Sequence, residues 1–96
     1  MAKPRSYCIE LRPAARRALK RIKDRDDLRR IAEAIATLEH NPRPVGAKPL
    51  QGSTPQEKLL RIRAGDYRIV YTVDDGVLLV VVVTIAHRSI VYKRLR

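Results

Sequence analysis

The sequence predicts an α+β fold of order β-α-α-β-β-β, a helical hairpin packed on a small, mainly antiparallel sheet. Three observations lead there: apolar residues alternating near the N-terminus, two stretches with helical apolar spacing, and three apolar runs divided by turn signals in the second half. A chain of 96 residues is expected to form one domain, 1–96, since a single core seldom divides below ~150 residues. Hydrophobic residues make up 45% of it, but Trp and Phe are absent and there are only four Tyr. The core must therefore be aliphatic, and this apolar content speaks against disorder.

Each element follows from local pattern. Ser6 to Leu11 alternates Tyr7, Ile9 and Leu11 with Ser6, Cys8 and Glu10, the period of a strand with one buried face. Pro13 suits the first turn of a helix, and Ala15, Ala18, Leu19 and Ile22 then share one side, leaving Arg16, Arg17, Lys20, Arg21 and Lys23 toward water. Asp26 or Asp27 is expected to cap a second helix, where a carboxylate meets the positive end of the helix dipole. Leu28, Ile31, Ala32, Ile35 and Leu38 carry that helix to a stop before Asn41-Pro42, because the residue preceding proline is pushed out of helical angles. Residues 41–57 hold four of the six prolines and two of the four glycines and predict a loop. Lys58 to Arg63, Tyr67 to Val73 and Val77 to Ala86 then form a meander, joined at Ala64-Gly65-Asp66 and Asp74-Asp75-Gly76. The last of the three is apolar on both faces, as a central strand would be.

Charge narrows the partner classes. Lys and Arg number 21 against 10 Asp and Glu, a formal net charge of +11, which attracts polyanions such as nucleic acid, an acidic lipid surface or an acidic protein. Residues 1–30 hold 11 basic and 4 acidic side chains, 31–57 hold 2 and 3, and 58–96 hold 8 and 3. The basic zones are thus the first helix and the strands. The lone Cys8 excludes an internal disulfide, and two His without clustered Cys or Asp offer no zinc set, so a reducing cytoplasm is expected. No apolar run follows the basic N-terminus, and Val77 to Val83 is far short of the ~20 residues of a membrane span.

Strand parity makes the second basic zone informative. If Leu60 and Ile62 face the helices, Arg61 and Arg63 point the other way, and Arg68 shares a face with Val70 and Thr72. Arg88 follows the last strand, with His87 before it and Tyr92 four residues on, so the strand ends could gather Arg61, Arg68, His87, Arg88 and Tyr92. Arginine forks bind phosphate oxygens and stabilise extra negative charge in a transition state, while Tyr or His can move a proton or stack on a base. No Ser-His-Asp group, carboxylate pair or Gly-rich phosphate loop is readable. His40 reads as a surface or capping residue at a helix end, and Tyr67 and Tyr71 as core.

These residues in this order resemble the RelE/ParE superfamily of toxins from toxin-antitoxin systems, the RelE branch in particular. The resemblance rests on Lys48-Pro-Leu-Gln-Gly52, on Leu60-Arg-Ile-Arg-Ala-Gly-Asp-Tyr-Arg-Ile-Val-Tyr71 and on Ile85-Ala-His-Arg-Ser-Ile-Val-Tyr92, after a first strand and a helical hairpin. It implies a RelE-like toxin that enters the ribosomal A site and cleaves mRNA as a metal-independent endoribonuclease, with no cofactor. The ribose 2′-hydroxyl would attack the adjacent phosphate, leaving a cyclic phosphate and a 5′-hydroxyl.

By position, the resemblance assigns catalysis to Arg61, Arg68, Arg88 and Tyr92. Arg68 and Arg88 would stabilise the phosphate and transition state, Arg61 would bind phosphate or transfer a proton, and Tyr92 would stack on a base or orient the 2′-hydroxyl. Arg63, His87, Arg17, Lys20 and Arg21 would bind substrate. The chain departs from the pattern at Lys58-Leu-Leu-Arg-Ile-Arg63, where well-studied members carry lysines nearer Arg61, and a guanidinium is a poor base. The resemblance also implies an acidic or amphipathic RelB-like antitoxin, through which the complex would bind operator DNA. Two other functions fit the same features: a ParE-type inhibitor of DNA gyrase, and a basic RNA-binding module without catalysis.

Overall fold

The structure, a computed structural model, describes residues 6–50, 53, 54, 56 and 58–89. The chain order is β1 (Cys8–Leu11), α1 (Pro13–Arg21), α2 (Arg25–His40), β2 (Lys48–Pro49), β3 (Leu60–Ala64), β4 (Tyr67–Asp74) and β5 (Leu79–His87). The strands form one sheet of order β1-β5-β4-β3-β2. Only the β1–β5 pairing is parallel, so the expected α+β class and mainly antiparallel sheet are what the chain adopts.

Each departure from the predicted elements has a local cause. Asp24, not Asp26 or Asp27, is the N-cap of α2: its backbone is extended and its Oδ1 accepts the Asp27 N–H at 3.0 Å. That leaves Asp26 and Asp27 inside the first turn, where they pair with Arg29 and Arg30 one turn on. The expected loop 41–57 contains β2, two residues that pair with Leu60 and Arg61. The last strand starts at Leu79 rather than Val77, because Asp74 Oδ1 accepts from the N–H groups of Gly76 and Val77 and holds them in the turn. α2 ends at His40 before Asn41-Pro42, as the proline requires.

Both helices cover one side of the sheet. Tyr67, Ile69, Tyr71 and Val73 of β4 and Leu60, Ile62 and Ala64 of β3 face inward, with Val80, Val82 and Ile85 of β5. Ala15, Ile31 and Leu38 close the core from the helices, with Ile22 at the C-cap of α1. On the other side lies a smaller cluster in which Leu50 and Val70 are buried and Leu59, Val83 and Ala86 partly so. No described helix is long and apolar enough to cross a membrane.

Polar contacts tie the loops to this core. Arg43 makes a bidentate ion pair with Asp75, at 2.8 and 3.1 Å, and the Tyr7 hydroxyl donates to the same carboxylate at 2.7 Å. The N-terminal segment, the α2–β2 loop and the β4–β5 hairpin thus meet at one acid. Tyr71, fully buried, donates its hydroxyl to the Pro42 carbonyl at 2.7 Å. Burial pushes its pKa up from 10.0 to about 12, against a smaller lowering by Arg43.

Because the folded pKa lies above the unfolded one, this contribution is intact below pH 10 and is lost as pH rises through about 12. Two units correspond to roughly 2–3 kcal/mol. Tyr71→Phe should cost about 1 kcal/mol at neutral pH and remove that share of the alkaline loss. Urea unfolding of both proteins from pH 8 to 12 checks it, and parallel pH profiles would contradict it.

Candidate functional site

The side of the sheet away from the helices carries the arginines. Since the apolar residues of β3 and β4 are committed to the core, alternation leaves Arg61, Arg63 and Arg68 on the opposite face. Arg63 and Arg68 are direct cross-strand partners, and Arg61 lies opposite Val70. The Leu50 N–H donates to the Leu59 carbonyl at 2.9 Å, so alternate residues of β3 (59, 61 and 63) turn their backbone groups away from β4. Arg63 and Arg68 therefore form a non-hydrogen-bonded pair, the kind that brings side chains closest.

Two like charges are held together here, with no counter-ion among the described residues. Among the described residues no carboxylate lies within ion-pair distance of Arg61, Arg63, Arg68 or Arg88, whereas Arg29, Arg30 and Arg43 are paired. Arg68 is only 7% exposed, its Nη1 reaches the Tyr67 carbonyl at a long 3.5 Å, and its buried Nε has no hydrogen-bond partner. A buried guanidinium with an unfilled donor is costly by itself and suited to an incoming oxyanion.

The expected gathering at the strand ends divides in two. Val82 pairs with Tyr71 and Thr84 with Val70, leaving Val83 as an extra residue in β5. Strict alternation from Val80 and Val82 would put His87 on the arginine face. The bulge turns it to the helix side, where it meets Tyr67 edge-on, ring centroids 5.6 Å apart at 83°. There His87 and Tyr67 line a cleft of about 270 Å³ with Arg17 and Arg21 of α1. Lys20 is exposed on the same helix. The Ser89 N–H donates to His87 Nδ1 at 3.3 Å, and the Ser89 hydroxyl lies 3.0 Å from the same nitrogen.

Arg88 goes the other way. Its N–H donates to the Asp66 carbonyl at 2.8 Å, which extends the β4–β5 pairing by one step, and the alternation after the bulge gives it the parity of Ala86 on the arginine side. Tyr92 lies outside the described residues. Sequence reasoning missed Lys48, which the short β2 places directly opposite Arg61. The resemblance includes Lys48 in a family-like segment without giving it a role, and a residue among prolines and glycines offers no alternation to read; the β2 pairing supplies its position. The arrangement can bind phosphate through several guanidinium groups; it contains no carboxylate base on that patch among the described residues.

Three comparisons bear on this geometry. The family model for the ParE toxin of type II toxin-antitoxin systems matches residues 9–92. Toxin RelE of Mycobacterium tuberculosis (strain ATCC 25618 / H37Rv) is 33% identical over 93 residues, 97% of this chain and 93% of that protein. Among solved structures, a chain of the toxin-antitoxin complex RelBE2 from Mycobacterium tuberculosis superposes with a TM-score of 0.70 at 30% identity, covering 86% of this chain and 99% of that one. The archaeal RelE-RelB complex from Pyrococcus horikoshii OT3 gives 0.73 at 24% identity, covering 88% and 98%, a likeness of fold.

If the Arg63–Arg68 contact is repulsive, Arg63→Thr should stabilise the protein at low salt by roughly 0.2–1 kcal/mol. Added sulfate should then raise the Tm of the unsubstituted protein more than that of the variant. Thermal unfolding with and without sulfate measures both; destabilisation by Arg63→Thr with an equal sulfate response would refute the repulsion.

Proposed function

The chain belongs to the ParE toxin family of type II toxin-antitoxin systems and is a RelE-like toxin; from that premise we propose that it is a ribosome-dependent endoribonuclease that cleaves mRNA in the ribosomal A site. The observation that carries this reading is the buried Arg68 beside Arg63, with no carboxylate in ion-pair reach among the described residues and with its Nε unfilled. Such a group is poorly accommodated unless a phosphate completes it.

In this reading the ribose 2′-hydroxyl gives up its proton as its oxygen attacks the adjacent phosphorus, the bond to the 5′-oxygen breaks, and that oxygen takes up a proton, leaving a cyclic phosphate and a 5′-hydroxyl. Negative charge grows on the non-bridging oxygens, and a guanidinium preorganised in a nearly dry site stabilises it more than water would. Arg68 and Arg88 take that role, and Arg61, one pair along β3, holds the substrate phosphate. Tyr92 stacks on a base or orients the 2′-hydroxyl. Arginine has no acceptor and stays charged, so these three arginines orient and stabilise and do not themselves abstract the proton. The α1 side, with Arg17, Lys20 and Arg21, supplies sequence-tolerant contacts to RNA phosphates, and His87 lines the same cleft as two of them.

The partner in this reading is a RelB-like antitoxin that covers the arginine face. Support comes from relatives solved as toxin-antitoxin complexes, RelBE2 and archaeal RelE-RelB. A second reading, gyrase inhibition without RNA cleavage, is favoured by the family model's ParE description, but it gives no task to the unfilled Arg68 donor.

Arg68→Ala and Arg88→Ala should each relieve growth arrest in cells expressing the chain and lower mRNA cleavage on purified ribosomes about 10²-fold or more. Undiminished toxicity in both variants would sink the proposal. DNA breaks with intact mRNA would establish the gyrase reading instead, and salt-sensitive RNA binding without cleavage would leave a non-catalytic module.

A further inference from the structure

At the β2 edge of the sheet, a cleft of about 510 Å³ runs between α2 and β3, lined by Thr37, Val45, Gly46, Lys48, Arg61 and Arg63. Lys48 is the cross-strand partner of Arg61 and shares its face. A tight turn puts it there: the Ala47 N–H donates to the Pro44 carbonyl at 3.0 Å, and Gly46 takes φ +99°, a left-handed angle that glycine adopts without strain. Among the described residues, no carboxylate is within ion-pair distance of Lys48, Arg61 or Arg63.

Two kinds of polyanion could answer these cations, an acidic peptide or an RNA backbone, and the edge itself decides between them. A peptide at a sheet edge gains affinity by adding a strand. The Leu50 N–H bond to the Leu59 carbonyl turns the backbone of Lys48 and Leu50 toward β3 and leaves residue 49 facing outward. Residue 49 is proline, with no N–H to offer, so the outer edge is closed to an added strand. A phosphodiester chain needs no backbone partner. Arg61 and Arg63, two residues apart on a strand, lie ~7 Å apart, a spacing of the same order as successive phosphates in extended RNA.

We propose that this cleft is a subsite for the phosphodiester flanking the cleaved one, held by Lys48 together with Arg63, so that the RNA crosses from the arginine face over the edge of β3. The proposal rests on the endoribonuclease reading and extends it to a residue and a path. Lys48 here is a binding residue, one step removed from the reacting atoms.

The test compares the unsubstituted chain with Lys48→Gln and Lys48→Arg, each purified away from antitoxin. With Lys48→Gln, KM for mRNA cleavage on ribosomes should rise roughly three- to fivefold, the effect of one exposed ion pair, with kcat unchanged. The slope of log affinity against log salt for a single-stranded oligoribonucleotide should shrink by about 0.7. Lys48→Arg should restore both. Unchanged KM and salt slope would overturn the proposal. So would a fall in kcat at constant KM, which puts Lys48 in the chemistry, or a weakened antitoxin complex with unaltered RNA binding, which makes the cleft a protein site. If the unsubstituted chain cleaves no mRNA, the endoribonuclease reading fails, and the salt slope alone decides whether the cleft takes RNA phosphate.

Discussion

The alternation of β4 is the constraint on which the rest depends. This strand lies in the middle of the sheet, paired on both sides, with Tyr67, Ile69, Tyr71 and Val73 committed to the helix-covered core. A slip of one residue would exchange that set for Arg68, Val70 and Thr72 and bury a charge where four apolar side chains now pack. The hydrophobic face therefore fixes the register of β4, β4 fixes β3 through the Ile62–Ile69 pair, and β3 fixes the position of Lys48. Packing on one side of the sheet sets the placement of charge on the other.

Charge is distributed with the same economy. The acids at the start of α2 cap the helix or pair with its own arginines, and Asp75 joins Arg43 and Tyr7 at the hairpin. Among the described residues nothing comparable neutralises Arg61, Arg63 or Arg68. A sequence selected for stability alone would place a carboxylate across from Arg63; this one places a second arginine there. Local rules broken without compensation inside the protein point to compensation from outside it. The apolar cluster of Leu50, Val70, Leu59, Val83 and Ala86 lies on this same side of the sheet.

Much of the fold was legible because its signals are local and periodic. The helical hairpin, the three-strand meander and the facing of Arg61, Arg63 and Arg68 all follow from counting residues along an element. What escaped depended on interactions between distant residues. β2 has only two residues and exists through its pairing with Leu60 and Arg61, so neither propensity nor pattern announces it. Three aspartates stand within four positions, and only the start of the helix at Arg25 selects Asp24 among them as the cap. His87 reads by position as one of the strand-end group with the arginines, since the run from Val77 to Val83 is apolar throughout and gives no sign of where alternation breaks.

That break has a consequence for how such a site can change over evolutionary time. Beyond Val83 every residue of β5 has its face set by one extra position, so His87 and Arg88 occupy opposite sides by virtue of chain length rather than side-chain identity. Loss of a single codon in this strand would exchange them, bringing an imidazole to the arginine patch and sending a guanidinium to the helix cleft, with no substitution at either residue. Alignments that score only matched columns would record a gap in a hydrophobic run. The chemistry of the patch would meanwhile have gained a group able to accept a proton.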